Sequence, residues 1–245
     1  MIPRFPLLAA VAAFGLTSLS LHAAEPLKIA LVGDSTVCDY PEGSPTRGWG
    51  QFLGGYFDGS VQVVNLAASG RSTKTFIAEG RWTKTLAEKP AVVLIQFGHN
   101  DSHAKERPEA TDAATDYREN LRRYVDEARA IGAKPVLVTP MCRRQFNPDG
   151  TLSDLLAPYA EAMKIVAAEK QVPLIDLHAM SADLYLKLGP KACEELQNKE
   201  GDQTHFGAKG ADLMAFLVMG QLPAAVPELS PRLNERLKPA AVKTP

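Results

Sequence analysis

Neither sign of charge is in excess in this sequence of 245 residues: 27 Lys and Arg face 28 Asp and Glu, for a formal net charge of −1. Broad binding to nucleic acid or to an anionic membrane calls for clustered basic charge, so neither is an expected partner. Cysteine is scarce and unpatterned. Cys38, Cys142 and Cys193 contain no C-x-x-C pair, which argues against a zinc ribbon or a dithiol redox motif, and three cannot all pair within one chain. Spacing selects no disulfide among them. Beyond residue 24 no stretch approaches the roughly 18 apolar residues needed to span a bilayer. G-x-G-x-x-G and G-x-x-x-x-G-K-[ST] are both missing behind the first strand candidate, which makes a nucleotide or flavin binder a poor reading. There is no internal repeat and no low-complexity segment.

What is present begins with a distinct N-terminus. Arg4 is the only charge ahead of a hydrophobic run from Phe5 to about Leu21, and Ala23 and Ala24 precede the polar opening at Glu25-Pro26. Residues 1–24 therefore read as a secretory signal peptide, which implies a secreted or periplasmic protein with no membrane attachment after cleavage. Residues 25–222 read as one domain. From Pro223 the sequence is rich in Pro and Ala, and residues 223–245 are expected as a C-terminal tail with partial disorder.

Within the domain, short β-branched runs alternate with longer amphipathic stretches. Strands are expected at Lys28–Val32, Val61–Asn65, Val92–Phe97, Lys134–Val138 and Val172–Asp176. The third is almost wholly apolar, as in a strand covered on both faces. Tyr117, Leu121, Tyr124, Val125, Ala128 and Ile131 fall on one face of a helix over Thr115–Ile131, and Gly132 suits its end. Further helices are expected from Pro158 to Lys170 and from Gly207 to about Gly220. Strands separated by helices give an α/β fold: a three-layer α/β/α sandwich on a five-stranded parallel sheet in the flavodoxin-like order 2-1-3-4-5. In such sheets ligands sit beyond the carboxyl ends of the strands.

Four polar segments meet that demand. Gly33-Asp34-Ser35-Thr36 follows strand 1, Ser69-Gly70-Arg71-Ser72 follows strand 2, Gly98-His99-Asn100-Asp101 follows strand 3, and Asp202-Gln203-Thr204-His205 precedes the last helix. A serine hydroxyl becomes a nucleophile when a histidine takes its proton and a carboxylate orients that histidine. Asp202 and His205, three apart on one turn, can leave Nε2 free to face Ser35. The backbone N–H groups of Ser35 and Gly70 and the amide of Asn100 are candidate donors to an oxyanion. Each segment alone is an ordinary turn or cap; their joint occurrence at strand ends is what points to acyl transfer.

These blocks resemble the four signature blocks of SGNH (GDSL-type) hydrolases. The stretches Gly33-Asp34-Ser35-Thr36-Val37, Gly48-Trp49-Gly50, Gly70-Arg71-Ser72-Thr73-Lys74-Thr75-Phe76 and Gly98-His99-Asn100-Asp101 resemble the rhamnogalacturonan acetylesterase group within them. So does Asp202-Gln203-Thr204-His205-Phe206. The resemblance implies a serine esterase that removes acetyl groups from pectic polysaccharide or oligosaccharide, with no cofactor. Ser35 would be the nucleophile, Gly70 and Asn100 oxyanion donors, Asp202 the orienting acid and His205 the base. Since the base must be neutral, activity is expected to fall on acidification. Pectic sugars include uronic acids, whose carboxylates suit an Arg fork. Arg71, Arg143 and Arg144, at the same rim, are the candidate substrate-binding residues. Trp49 and Trp82 could stack on sugar rings, but core packing is the expectation for both. His99 and His103 flank Asp101 without a helix to align them, so no metal is expected. Two other readings stay open: an SGNH lipase or thioesterase with another acyl substrate, and a catalytically silent carbohydrate-binding protein. The sequence leaves the oligomeric state undetermined.

Overall fold

A computed structural model describes residues 26–237. The expected signal segment lies outside the described residues. Five strands, β1 (Leu27–Gly33), β2 (Val61–Asn65), β3 (Val92–Gln96), β4 (Lys134–Val138) and β5 (Leu174–Ile175), form one sheet in the order β2-β1-β3-β4-β5. Every pairing is parallel. The order is the one expected, and the switch point falls between β1 and β3.

Because side chains alternate across a strand, a strand covered on both faces must be apolar at every position. β3 sits at the centre of the sheet, and all five of its residues are buried. Val93 and Ile95 face one layer together with Ala30, Val32 and Leu137. Val92 and Leu94 face the other with Ile29, Leu31, Val136 and Val138. Over the first face lie the short helices α2 (Thr73–Ala78) and α3 (Arg81–Ala87) and the longer α4 (Asp116–Ala130) and α5 (Ala157–Lys170). Over the second lie α1 (Gly50–Leu53), α6 (Leu177–Cys193) and α7 (Ala208–Ala225). The three-layer sandwich follows directly.

Helix α4 buries the stripe Tyr117, Leu121, Tyr124, Val125 and Ala128, while Ile131, expected on that face, lies just past the helix and is exposed. Ser72 opens α2 with a capping box: its side chain accepts from the Thr75 amide, and the Thr75 hydroxyl accepts from the Ser72 amide at 2.9 Å. Gly189, at φ +74° and followed by Pro190, breaks α6 into two segments. β5 is only two residues long, shorter than the expected Val172–Asp176, because Asp176 leaves the ladder to cap α6 by accepting from the Ala179 amide.

Residues 223–237 pack against the domain. A 3₁₀ turn over Pro227–Arg232 buries Leu229, Val226 is fully buried, and Leu233 bridges to Phe57. The Asn234 amide donates to the Gly55 carbonyl at 2.7 Å, and Arg236 pairs with Asp212 beneath the Tyr56 ring. Cys38, Cys142 and Cys193 are buried free thiols. Among the described residues no helix is long and apolar enough to cross a membrane.

At the end of β3, the buried Asp101 carboxylate accepts from the Thr73 amide at 3.1 Å, from the Thr73 hydroxyl at 2.5 Å and from the Thr111 hydroxyl at 3.0 Å. It thereby ties α2 and the approach to α4 to the sheet. Burial pushes its pKa up to about 7 against those hydrogen bonds. An acid whose folded value is raised binds more protons folded than unfolded, so stability falls as pH rises from about 4, the ordinary carboxylate value, to about 7. Denaturant unfolding across that range should show this decline in the wild type and a flatter profile in Asp101→Asn.

Candidate active site

Ser35 sits in the turn that leaves β1. The amides of Val37 and Cys38 donate to the Asp34 carbonyl at 3.1 and 3.0 Å, and the Asp34 carboxylate accepts from the Thr36 amide and hydroxyl at 2.9 and 2.7 Å. The Thr36 hydroxyl accepts from Gln96 Nε2 at 2.8 Å, and Gln96 Oε1 accepts from the Trp49 indole at 2.7 Å. All four of these residues are buried. Removing Gln96 would strand an indole N–H and leave Thr36 unsupported, at a cost of about 1–3 kcal/mol for each unsatisfied group. On the outer side, the Tyr40 hydroxyl donates to the Ser35 carbonyl at 2.9 Å. The serine is thus fixed before any substrate arrives.

The base and its carboxylate come from a single turn. His205 Nδ1 lies 3.0 Å from Asp202 Oδ2, and its Nε2 lies 3.0 Å from Ser35 Oγ. The other Asp202 oxygen accepts from the amides of Thr204 and His205 at 2.9 and 2.8 Å. Burial alone would raise the Asp202 pKa, but these two amides and the His205 ring outweigh it and hold the carboxyl below the usual range. The carboxylate can therefore orient Nδ1–H throughout the neutral range.

The three candidate oxyanion donors differ in how they are held. Among the described residues, the backbone N–H groups of Ser35 and Gly70 donate to no protein acceptor. Gly70 is at φ +79°, in the left-handed region, and a Cβ there would meet nothing within 4 Å. Glycine is needed for the backbone conformation rather than for packing. Asn100 Nδ2 donates to the Arg71 carbonyl at 3.0 Å, which fixes the amide and leaves its second hydrogen available. The loop bearing Asn100 starts at Gly98, at φ +146°, where a Cβ would stand 2.6 Å from Pro140. The structure thus brings Ser35, Asp202 and His205 together, and ties Asn100 to the residue that follows Gly70.

The three arginines separate. Arg71 is half-exposed; its Nε bonds both oxygens of Glu79 and its Nη1 donates to the Ser69 carbonyl. Arg143 is half-buried, donating to the Thr204 hydroxyl and to the His99 carbonyl. It lines an open cavity of about 520 Å³ with Leu155, Lys199, Asp202 and Thr204. Arg144 is only 5% exposed and lines a second open cavity with Phe146, Asp202 and Gln203. Its Nη2 donates to the carbonyls of Asp202 and His205 at 2.9 and 2.7 Å, its amide donates to the Gln203 carbonyl, and its guanidinium lies 4.3 Å from the Phe206 ring centre. Arg144 braces the Asp202–His205 turn from beneath.

Trp49 and Trp82 are core residues, the latter donating to Glu127. His99 is buried with Nδ1 3.5 Å from the Asp34 carboxylate, and burial pulls its pKa down, favouring the neutral ring. His103 points elsewhere, to Glu109. The support of Ser35 by Gln96 and Trp49 was absent from the sequence reading. The one signal available was a glutamine closing an otherwise apolar buried strand.

Comparison with known proteins agrees with this geometry. The model of the GDSL-like Lipase/Acylhydrolase family matches residues 31–213. "Probable rhamnogalacturonan acetylesterase YesY" of Bacillus subtilis (strain 168) is 42% identical over 196 residues, covering 78% of this chain and 89% of that protein. Rhamnogalacturonan acetylesterase RhgT of the same organism is 40% identical over 210 residues, covering 79% and 88%. Among solved structures, the crystal structure of Bacillus subtilis YxiM superposes with a TM-score of 0.70 at 30% identity, over 83% of this chain and 56% of that one. The chain belongs to the GDSL-like lipase/acylhydrolase family, the SGNH hydrolases.

Proposed function

We propose that the protein is a serine esterase that removes acetyl groups from plant cell-wall polysaccharide, with acetylated rhamnogalacturonan as the substrate class. The observation that carries the reading is the unbroken line Asp202–His205–Ser35, with both links at 3.0 Å. The substrate class rests on the two relatives named rhamnogalacturonan acetylesterases.

The geometry supports a two-step acyl transfer. Ser35 Oγ attacks the acetyl carbonyl carbon as His205 Nε2 takes its proton. The carbonyl oxygen, now an oxyanion, accepts from the amides of Ser35 and Gly70 and from Asn100 Nδ2. The tetrahedral centre collapses, the sugar oxygen leaves with the proton from His205, and acetyl remains on Ser35. A water molecule then gives its proton to His205, attacks the acyl-enzyme and releases acetate, and His205 returns the proton to Ser35. Each oxyanion donor contributes about 10²–10³ to kcat, and the loss of the nucleophile costs roughly 10⁴ or more. For the expected uronate contacts, Arg71 has Nη2 uncommitted among the described residues, and Arg143 and Arg144 each line a cavity beside the Asp202–His205 turn. The secretory leader read in residues 1–24 agrees with a substrate outside the cell.

Purified protein should release acetate from acetylated rhamnogalacturonan faster than from acetylated xylan or p-nitrophenyl acyl esters, and Ser35→Ala should abolish all of it. Activity confined to small or long acyl esters would discard the pectic substrate. The mechanism needs an unprotonated base, so the rate should decline on acidification; a flat profile from pH 8 to pH 4 would contradict it. Arg71→Ala should raise KM on the pectic polymer while leaving a small neutral acetyl ester unaffected, and equal loss on both would remove the uronate contact. Arg144→Lys keeps the charge but cannot bond both carbonyls while stacking on Phe206. It should lower kcat about 10- to 100-fold on both substrates, as misplacement of the base would, with little change in KM.

A further inference from the structure

A second convergence of reactive side chains lies outside the line of Ser35, His205 and Asp202. Cys142 follows β4, Asp154 lies in the loop before α5, and His178 is in the first turn of α6. Cys142 Sγ, a carboxylate oxygen of Asp154 and a ring nitrogen of His178 all lie within 4.8 Å of one another. The thiol and the imidazole are buried; the carboxylate is exposed. We propose that Cys142, Asp154 and His178 form a three-ligand site for a zinc-class divalent ion, open to solvent at its fourth position.

The donor set suits that ion. Zinc takes thiolate, imidazole and carboxylate at about 2.0–2.3 Å, and tetrahedral ligands at those lengths stand about 3.4–3.6 Å apart. His178 Nε2 and Asp154 Oδ1 are 2.9 Å apart, so closing on an ion asks those two to part slightly and the sulfur to move in by about 1 Å or less. Charge balances as well, since a thiolate and a carboxylate neutralise a divalent cation. Without an ion, burial pushes the Cys142 thiol up to about 12, and the Asp154 charge pushes the same way. A bound cation would reverse that by stabilising the thiolate directly.

The ligands are also held from behind, as metal ligands commonly are. The Cys142 amide donates to Ser181 Oγ at 2.9 Å, and Ser181 Oγ donates to the His178 carbonyl at 3.0 Å. The His178 amide donates to Thr139 Oγ1 at 2.8 Å. This chain of bonds fixes the sulfur and the imidazole relative to each other across two elements. Asp154 Oδ1 accepts from the Ala157 amide at 3.0 Å, so the third ligand is positioned by the start of α5. An Asp–His pair alone would not need a thiol beside it, and among the described residues the thiol's one hydrogen-bond partner is the Arg143 carbonyl, at 3.4 Å. The site is independent of the esterase reading, although Cys142 adjoins Arg143 on the cavity wall.

The full chain, stripped with a chelator, is titrated with zinc chloride by calorimetry and with cobalt chloride by absorption spectroscopy. One equivalent of zinc is expected, with a thiolate-to-cobalt charge-transfer band and a rise in melting temperature. Cys142→Ser should abolish the band. Asp154→Asn, which keeps the acceptor for the Ala157 amide and so the fold, should weaken zinc binding about ten-fold or more, the loss seen even for outer-shell changes. A cobalt complex without the thiolate band, no binding by the wild type, or zinc affinity unchanged in either variant overturns the proposal. Acetate release by the Cys142→Ser protein, measured in parallel, keeps this outcome separate from that of the esterase reading.

Discussion

The arrangement depends on one constraint: a parallel pairing of β1 with β3 that sets Gly33 against Gln96 at the last rung. Everything reactive hangs from the two chain ends that emerge there. From β1 comes the Ser35 turn, and from β3 comes the loop carrying Asn100. Gln96 locks the two together below the surface, giving one hydrogen bond to Thr36 and taking one from Trp49. A slip of one residue would turn Gln96 to the opposite face and separate donor from acceptor. The register that buries the sheet is therefore also what sets the Ser35 turn beside the loop carrying Asn100.

The same economy appears on the β4 side. Two consecutive arginines leave β4's extension, and adjacent residues of extended chain point in opposite directions. Arg143 faces the cavity beside the acid–base turn, while Arg144 lies under that turn and bonds its carbonyls. A buried guanidinium is expensive unless its hydrogens are used; here Nη2 bonds two carbonyls and the Phe206 ring covers the group, while Nη1 is buried with no hydrogen-bond partner among the described residues.

Much of this was legible in the residues. β1 to β4 announce themselves through β-branched runs, and their ends locate Ser35, Gly70 and Asn100 because chemistry at a parallel sheet needs polar groups there. β5 was harder: the run from Val172 to Asp176 looks like its neighbours, yet its last residue is drawn off to cap α6. α2 and α3 are six and seven residues long, too short to express a helical period. Composition from Pro223 shows only a Pro- and Ala-rich stretch; that Val226 and Leu229 fill the core is visible only in three dimensions. Arg143 and Arg144 look alike in sequence and part company only in three dimensions. The meeting of Cys142, Asp154 and His178 has no spacing signature, since its members come from three separate segments.

The acid–base turn is a self-contained unit. Asp202 and His205 are joined to each other through side chain and backbone, and they are anchored by Arg144 from below and by the Arg47 amide on the Phe206 carbonyl from the side. That turn is also part of the wall of the neighbouring cavity: Asp202 and Thr204 line it with Lys199 and Glu200, and the Asp202 amide donates to the Lys199 carbonyl at 3.2 Å. Whatever reshapes this stretch of the wall therefore also moves the Asp202–His205 pair. An insertion or a loop exchange between Lys199 and Thr204 would disturb Asp202 and His205 together with the cavity, so tolerated change is confined to segments farther from the turn.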